Sequence, residues 1–184
     1  HSPMTLLRGL ADDLPLMTWL NDHIWPAEGK WLGQEFIADG TQLAIAEMIK
    51  GGTTCFNEHY FQANVLADVA HKTGMRANIG LWLGDLPVLD GKNIDEQLKT
   101  AEAVLASHGN LSPLISMTMA PHSPYLLDDS SLIKLKDFAK THQLGVHMHV
   151  HESQNEMETS MQQHQKRPLA RMQALGLLSD RFQC

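Results

Sequence analysis

The stretch Leu144-Gly-Val-His-Met-His-Val-His-Glu-Ser153 constrains the fold more than any other part of the chain. Val146, Met148 and Val150 alternate with His147, His149 and His151, and strand side chains alternate faces with a period of two. Gly145 to His151 therefore reads as a strand with one apolar face and one imidazole face. A lone buried histidine is most simply a core residue satisfied by hydrogen bonds. Three on one face ask for a partner, and neutral imidazole is the commonest metal ligand. His149 is the central candidate, because zinc favours histidine and carboxylate ligands. His147 lies deeper, where packing or a hydrogen bond would account for it, and His151 lies nearer the loop. Glu152 follows at once. Continued alternation would turn it away from the imidazoles, so it reaches them only if the strand ends at His151 and the chain turns. Otherwise it is a carboxylate favoured by the start of the next helix, and the pattern leaves both readings open.

The rest of the chain supplies a setting for this strand. Thr53 to Glu58, Arg76 to Leu83 and Leu114 to Ala120 read as three earlier strands, rich in β-formers and bounded by turn residues. Between them, apolar residues at helical spacing predict helices over Gln34–Lys50, Gln62–Thr73 and Ile94–Ser107, with Gly51-Gly52, Gly74 and Gly109 as stops. Asp128 supplies N-cap chemistry for a helix to about His142, and a polar helix follows Ser153, interrupted at Pro168. His1 to Gly9 reads as a loop and a short turn. Trp19 to Trp25 reads as a short amphipathic segment whose continuation Pro26 limits, and Phe182-Gln-Cys184 would enter a further strand.

Strands each followed by a helix form a parallel sheet. No Gly-x-Gly-x-x-Gly follows any strand, which weakens a doubly wound nucleotide-binding fold. Polar residues gather at strand ends instead: Glu58-His59, His122, then His149 and Glu152. A (β/α)8 barrel places its catalytic groups there. The fold expected is α/β, a TIM-type (β/α)8 barrel. About 250 residues are typical of that barrel, so 184 residues hold roughly five of its eight units. Residues 1–184 are then part of one catalytic barrel domain, truncated at both ends.

Composition excludes several classes. A formal net charge of −7 argues against nucleic-acid binding, which needs a basic face. No apolar run approaches the roughly 20 residues of a membrane span, and no signal-peptide pattern opens the chain. Cys55 and Cys184 form no disulfide framework and lack metal-type spacing, which suits a reduced, cytoplasmic setting. Ten methionines signify adaptable packing. His122 stands between Pro121 and Pro124 in a stiffened loop that could hold an imidazole in one pose; a solvent-facing loop histidine is the alternative. For Glu58-His59 a capping carboxylate is the stronger reading. Trp19, Trp25, Trp31 and Tyr125 read first as packing residues.

Taken together, His1-Ser-Pro-Met-Thr-Leu-Leu-Arg-Gly9, Ala46-Glu-Met-Ile-Lys-Gly-Gly-Thr-Thr-Cys-Phe-Asn57, Gly74-Met-Arg76, Ala120-Pro-His-Ser-Pro-Tyr125 and His149-Val-His-Glu152 resemble the amidohydrolase superfamily. Within it they resemble the methylthioadenosine/S-adenosylhomocysteine deaminases. The resemblance implies that His1 is the second imidazole of a His-x-His metal pair and that His149 is a further ligand. It makes Glu152 the proton shuttle and His122 the residue that hydrogen-bonds the purine ring. Trp19 and Glu28 match residues near the sugar, Glu28 toward the ribose hydroxyls. A further histidine and a metal-binding aspartate of the family pattern lie beyond Cys184, and Leu81 stands where some relatives carry an arginine that helps bind the substrate tail.

The implied cofactor is one divalent ion, zinc, with iron or manganese accepted by the same donors. The implied reaction is hydrolytic deamination of an adenosine-type nucleoside at purine C6. The small-molecule nucleoside is then the partner, with no nucleic acid or membrane, and homo-oligomerisation is compatible with all of this. A triazine or guanine hydrolase on the same fold is the nearest alternative; a non-catalytic metal-binding piece is the alternative of another class.

Overall fold

A computed structural model describes residues 1–184, and five parallel strands form its centre. They are β1 (Cys55–Glu58), β2 (Arg76–Leu83), β3 (Ile115–Pro121), β4 (Val146–His147) and β5 (Phe182–Gln183), paired in chain order. The helices are α1 (Leu16–Trp19), α2 (Trp25–Trp31), α3 (Gln34–Gly51), α4 (Ala63–Thr73), α5 (Ile94–His108), α6 (Asp129–Thr141), α7 (Gln154–His164) and α8 (Pro168–Ala174). A 3₁₀ helix, Ser2–Leu7, begins directly after His1, where a loop and turn were expected. The helix boundaries follow local chemistry. Gly52, at φ +83°, closes α3 in the left-handed conformation, and the Asp128 carboxylate accepts the Ser131 amide at 2.7 Å to start α6.

The sheet has two unlike faces. Ile79, Leu81 and Leu83 of β2 belong to one apolar core with Leu66 and Ala70 of α4 and Ala101 and Val104 of α5. Each fully buried aliphatic side chain there contributes about 1.5–3 kcal/mol. Truncating Ile79, 0% exposed, to alanine would cost about 2–5 kcal/mol. Leu81 lies in this core, at 2% exposure.

On the opposite face a string of largely exposed polar side chains runs across the sheet. The Ser116 hydroxyl donates to Asn78 at 3.0 Å, the Asn78 amide to Asn57 at 2.8 Å, and the Asn57 amide to Gln183 at 3.1 Å. Asn57 and Gln183 sit on the two outermost strands. In a flat five-stranded sheet, with neighbours about 4.8 Å apart, those strands would stand roughly 19 Å from each other. Their contact shows that the sheet is curled as in a barrel. Gly80 permits the close approach on which this curl depends: a Cβ there would lie 2.6 Å from both the Ala120 Cβ and the Glu58 carbonyl oxygen.

Two local expectations are corrected. Pro26 does not end the Trp19–Trp25 segment, because helix runs from Leu16 to Trp31 through a π-helical turn at Leu20–Ile24. Within that turn the Trp25 amide bonds back to the Leu20 carbonyl. Pro26 then falls in the first turn of α2, where a missing amide proton is tolerated. The fourth strand is also shorter than Gly145 to His151. Regular pairing covers only Val146 and His147, although the Met148 amide still bonds Gln183 and the His149 amide bonds the His122 carbonyl, both at 3.0 Å. His151, at φ +61°, turns the chain there.

Candidate metal centre

His149 leaves the end of β4 and His122 leaves the end of β3, so the hydrogen bond between their backbones sets the two imidazoles side by side. Their ring centroids are 5.1 Å apart, and His1 stands 5.1 Å from His149. Two imidazoles on one tetrahedral zinc, at Zn–N of about 2.0–2.1 Å, have centroids roughly 5 Å apart. One donor nitrogen from each of His1, His122 and His149 lies within 4.8 Å of the others. Metal ligation needs unprotonated imidazole, and burial favours that form. It depresses the His149 pKa and pushes His122 down to about 4, with His149 adding to the effect. The donor set therefore fits a divalent ion, which His1, His149 and His122 are all close enough to contact.

Two further histidines crowd this group. His59, 2% exposed, lies 4.5 Å from His149, 5.2 Å from His147, 5.7 Å from His1 and 5.8 Å from His122, measured between ring centroids. Neither of its nitrogens meets a hydrogen-bonding group of the chain, nor does Nδ1 of His147. His151 stands apart, its Nε2 accepting the Leu169 amide at 3.3 Å at the start of α8.

Glu152 is carried back toward the imidazoles by the turn at His151. Its carboxylate accepts the Tyr125 hydroxyl at 2.8 Å and acts on His149 by raising its pKa, against the larger effect of burial. Tyr125 in turn packs edge-on against His122 at 6.0 Å. The turn is fastened from below. The buried Glu156 carboxylate accepts the His151 and Glu152 amides at 3.1 and 2.7 Å, and the Ser153 hydroxyl accepts the Glu156 amide.

Glu28 reaches the same region from α2. Its carboxylate accepts the hydroxyl of buried Tyr60 at 2.5 Å, and the Tyr60 ring lies 5.9 Å from that of His1. Burial raises the pKa of Glu28, and the Tyr60 bond partly offsets it. Trp19 is placed differently. Its indole donates to the Leu10 carbonyl at 3.1 Å, and it lines a cleft with Met4, Arg8 and Asp12 that includes none of the histidines.

His59 was noted at a strand end but set aside for a capping reading of Glu58-His59, and Tyr60 and the Tyr125 contact were missed. The signal that favours His59 as a site residue is that it continues the alternation of Asn57 on β1. None existed for Tyr60, whose partner Glu28 lies 32 residues away.

A curled parallel sheet with imidazoles at its strand ends defines a class of hydrolase folds, and the comparisons agree. A model of the amidohydrolase family matches residues 1–183. The chain belongs to the amidohydrolase family. It is 41% identical over 184 residues to a 5-methylthioadenosine/S-adenosylhomocysteine deaminase from Teredinibacter turnerae, covering 100% of this chain and 41% of the relative. A 5'-deoxyadenosine deaminase from Methanosphaera stadtmanae is 37% identical, with 98% of this chain and 42% of the relative covered.

Among solved structures, a zinc-bound adenosine deaminase from Xanthomonas campestris superposes with a TM-score of 0.96 at 47% identity, covering 99% of this chain and 41% of that one. A guanine deaminase from C. acetobutylicum, at a TM-score of 0.86 and 20% identity, covers 98% of this chain and 45% of its own and shares the fold. The five parallel strands, the first four each followed by a helix, are thus those of a (β/α)8 barrel of the amidohydrolase kind, and the chain spans about two fifths of the length of these relatives.

Proposed function

We propose that residues 1–184 are part of the barrel domain of a metal-dependent aminohydrolase that removes the amino group from purine C6 of an adenosine-type nucleoside. The convergence of His1, His122 and His149 within 4.8 Å, with Glu152 beside them, carries this reading. The names of the relatives support the nucleoside class. The zinc bound to the Xanthomonas campestris protein supports zinc over iron or manganese.

In this reading His1 and His149 would hold the ion, which would supply Lewis-acid chemistry that lowers the pKa of water to about 7. Glu152 takes a proton from the attacking water and delivers it to the ring nitrogen, and a proton then reaches the departing ammonia. Water adds its oxygen at C6, the C6–N bond breaks, and the products are the oxo-purine nucleoside and ammonia. Tyr125 holds the Glu152 carboxylate in place while this happens. His122 contacts the purine and Glu28 the ribose hydroxyls.

No helix is long and apolar enough to cross a membrane, and both cysteines are free. The free cysteines support a reduced, cytoplasmic setting.

Ammonia release from a panel of purine nucleosides and free bases, with metal content measured on the same full-length protein, tests this. Turnover of adenosine-type nucleosides with stoichiometric metal is expected. Release from guanine or a triazine alone would move the substrate class, and metal-free protein would remove the reading.

A further inference from the structure

Glu58 ends β1 with its side chain 0% exposed. Its carboxylate accepts the Ser2 amide at 3.1 and 2.9 Å and the His59 amide at 2.9 Å, and it forms an ion pair with the His1 amino nitrogen at 2.6 Å. The sequence reading of a capping carboxylate is half right. Glu58 caps the Ser2–Leu7 helix from across the fold and ties His1, Ser2 and His59 to one point. Pairing with lysine or arginine is absent. A carboxylate removed from water at that depth is costly unless it is hydrogen-bonded and its charge is met. The amides meet the first condition. The ion pair with the His1 amino group, at 2.6 Å, meets the second.

We propose that Glu58 is a positioning residue of the metal centre: it fixes the backbone that carries His1 and, through the His59 amide, the one that carries His59. The proposal rests on His1 and His149 as metal ligands. Groups that orient metal ligands typically change metal affinity or activity about 10–100-fold when lost. Removing the charge while keeping the shape should therefore weaken the ion more than the fold.

The test uses full-length protein, stripped of metal and titrated with zinc against a chromogenic chelator. Glu58→Gln should bind zinc about 10–100-fold more weakly. At saturating zinc it should recover kcat with an unchanged KM for nucleoside, and Glu58→Asp, which keeps the charge, should fall between it and wild type. A second variant cuts the same clasp from the other side. Ser2→Pro removes the donated amide proton at a helix position that tolerates proline and should weaken zinc in the same direction, whether or not Glu58→Gln folds. Wild-type zinc affinity in Glu58→Gln, or in Ser2→Pro should Glu58→Gln fail to fold, while His149→Ala binds none, overturns this proposal alone. A His149→Ala protein that keeps its zinc overturns the ligand reading and this proposal together.

Discussion

The ring of His59 lies parallel to that of His149, with 4.5 Å between centroids and 11° between planes. An imidazole lone pair lies in the ring plane, so two parallel planes cannot both contain one ion. In this arrangement His59 backs His149 rather than sharing its metal. His59→Phe, which keeps an aromatic surface behind His149, should retain the metal content of wild type, measured by plasma mass spectrometry. Loss of the metal would show His59 to be a ligand.

The histidine cluster makes the metal-free protein acid-sensitive. Burial is the main cause that lowers the pKa of His59, His122, His147 and His149. Between the ordinary value of 6.5 and about 4, where His122 titrates, the unfolded chain binds protons that the folded chain refuses. Stability therefore rises with pH across that window and is lost as pH falls through it. The urea midpoint of metal-free protein should drop steadily from pH 6.5 toward about 4. A midpoint that stays flat across this range would contradict the sign.

Arg171 of α8, 3% exposed, holds the loop that carries Tyr125. Its guanidinium donates to the carbonyls of Pro124 and Leu127 and to the Asp129 carboxylate, at 2.5, 2.8 and 2.8 Å. Asp129 is half exposed, so breaking this group belongs at the low end of buried-pair losses. Arg171→Met should cost about 3 kcal/mol in chemical denaturation. Arg171→Lys should recover little of it, because an ammonium cannot reproduce the fork.

Glu152→Gln should lower kcat by roughly 10²–10⁴-fold, the usual worth of a positioned acid–base group, with metal content unchanged. Tyr125→Phe removes the 2.8 Å bond to Glu152. A hydrogen bond to a charged group is worth about 1.5–3 kcal/mol when shielded, and this one is near the surface. The expected loss in kcat is therefore about tenfold, near the lower bound. Steady-state kinetics separates both variants from any that act through KM.

Glu28→Ala should raise KM for methylthioadenosine while leaving metal content intact, since a ribose contact serves binding. Tyr60→Phe, which frees the Glu28 carboxylate from its 2.5 Å partner, should move KM in the same direction and less. An unchanged KM in Glu28→Ala would detach Glu28 from the sugar.

Legibility in the sequence followed the range of the interactions. The alternation of Val146 and Met148 with His147 and His149 is a period-two signal, and burial matches it: Val146 is 7% and Met148 1% exposed. Capping at Asp128 is equally local. The turn that brings Glu152 back depends on a non-glycine residue held at positive φ by Glu156, which no residue pattern announces. Pro26 misled because a π-helical turn just before it made room for a residue that local rules read as a stop. Glu58 reaches an amide 56 residues away, so its partner was invisible until the fold was known.

The contact between Asn57 and Gln183 joins strands at opposite margins of the sheet. It forms only after everything from the first of these strands to the last has bent into an arc. The Asn57 side-chain amide is thus a natural gauge of curvature: its proton exchange and chemical shift register whether the arc has closed beneath the histidines, independently of metal and of turnover.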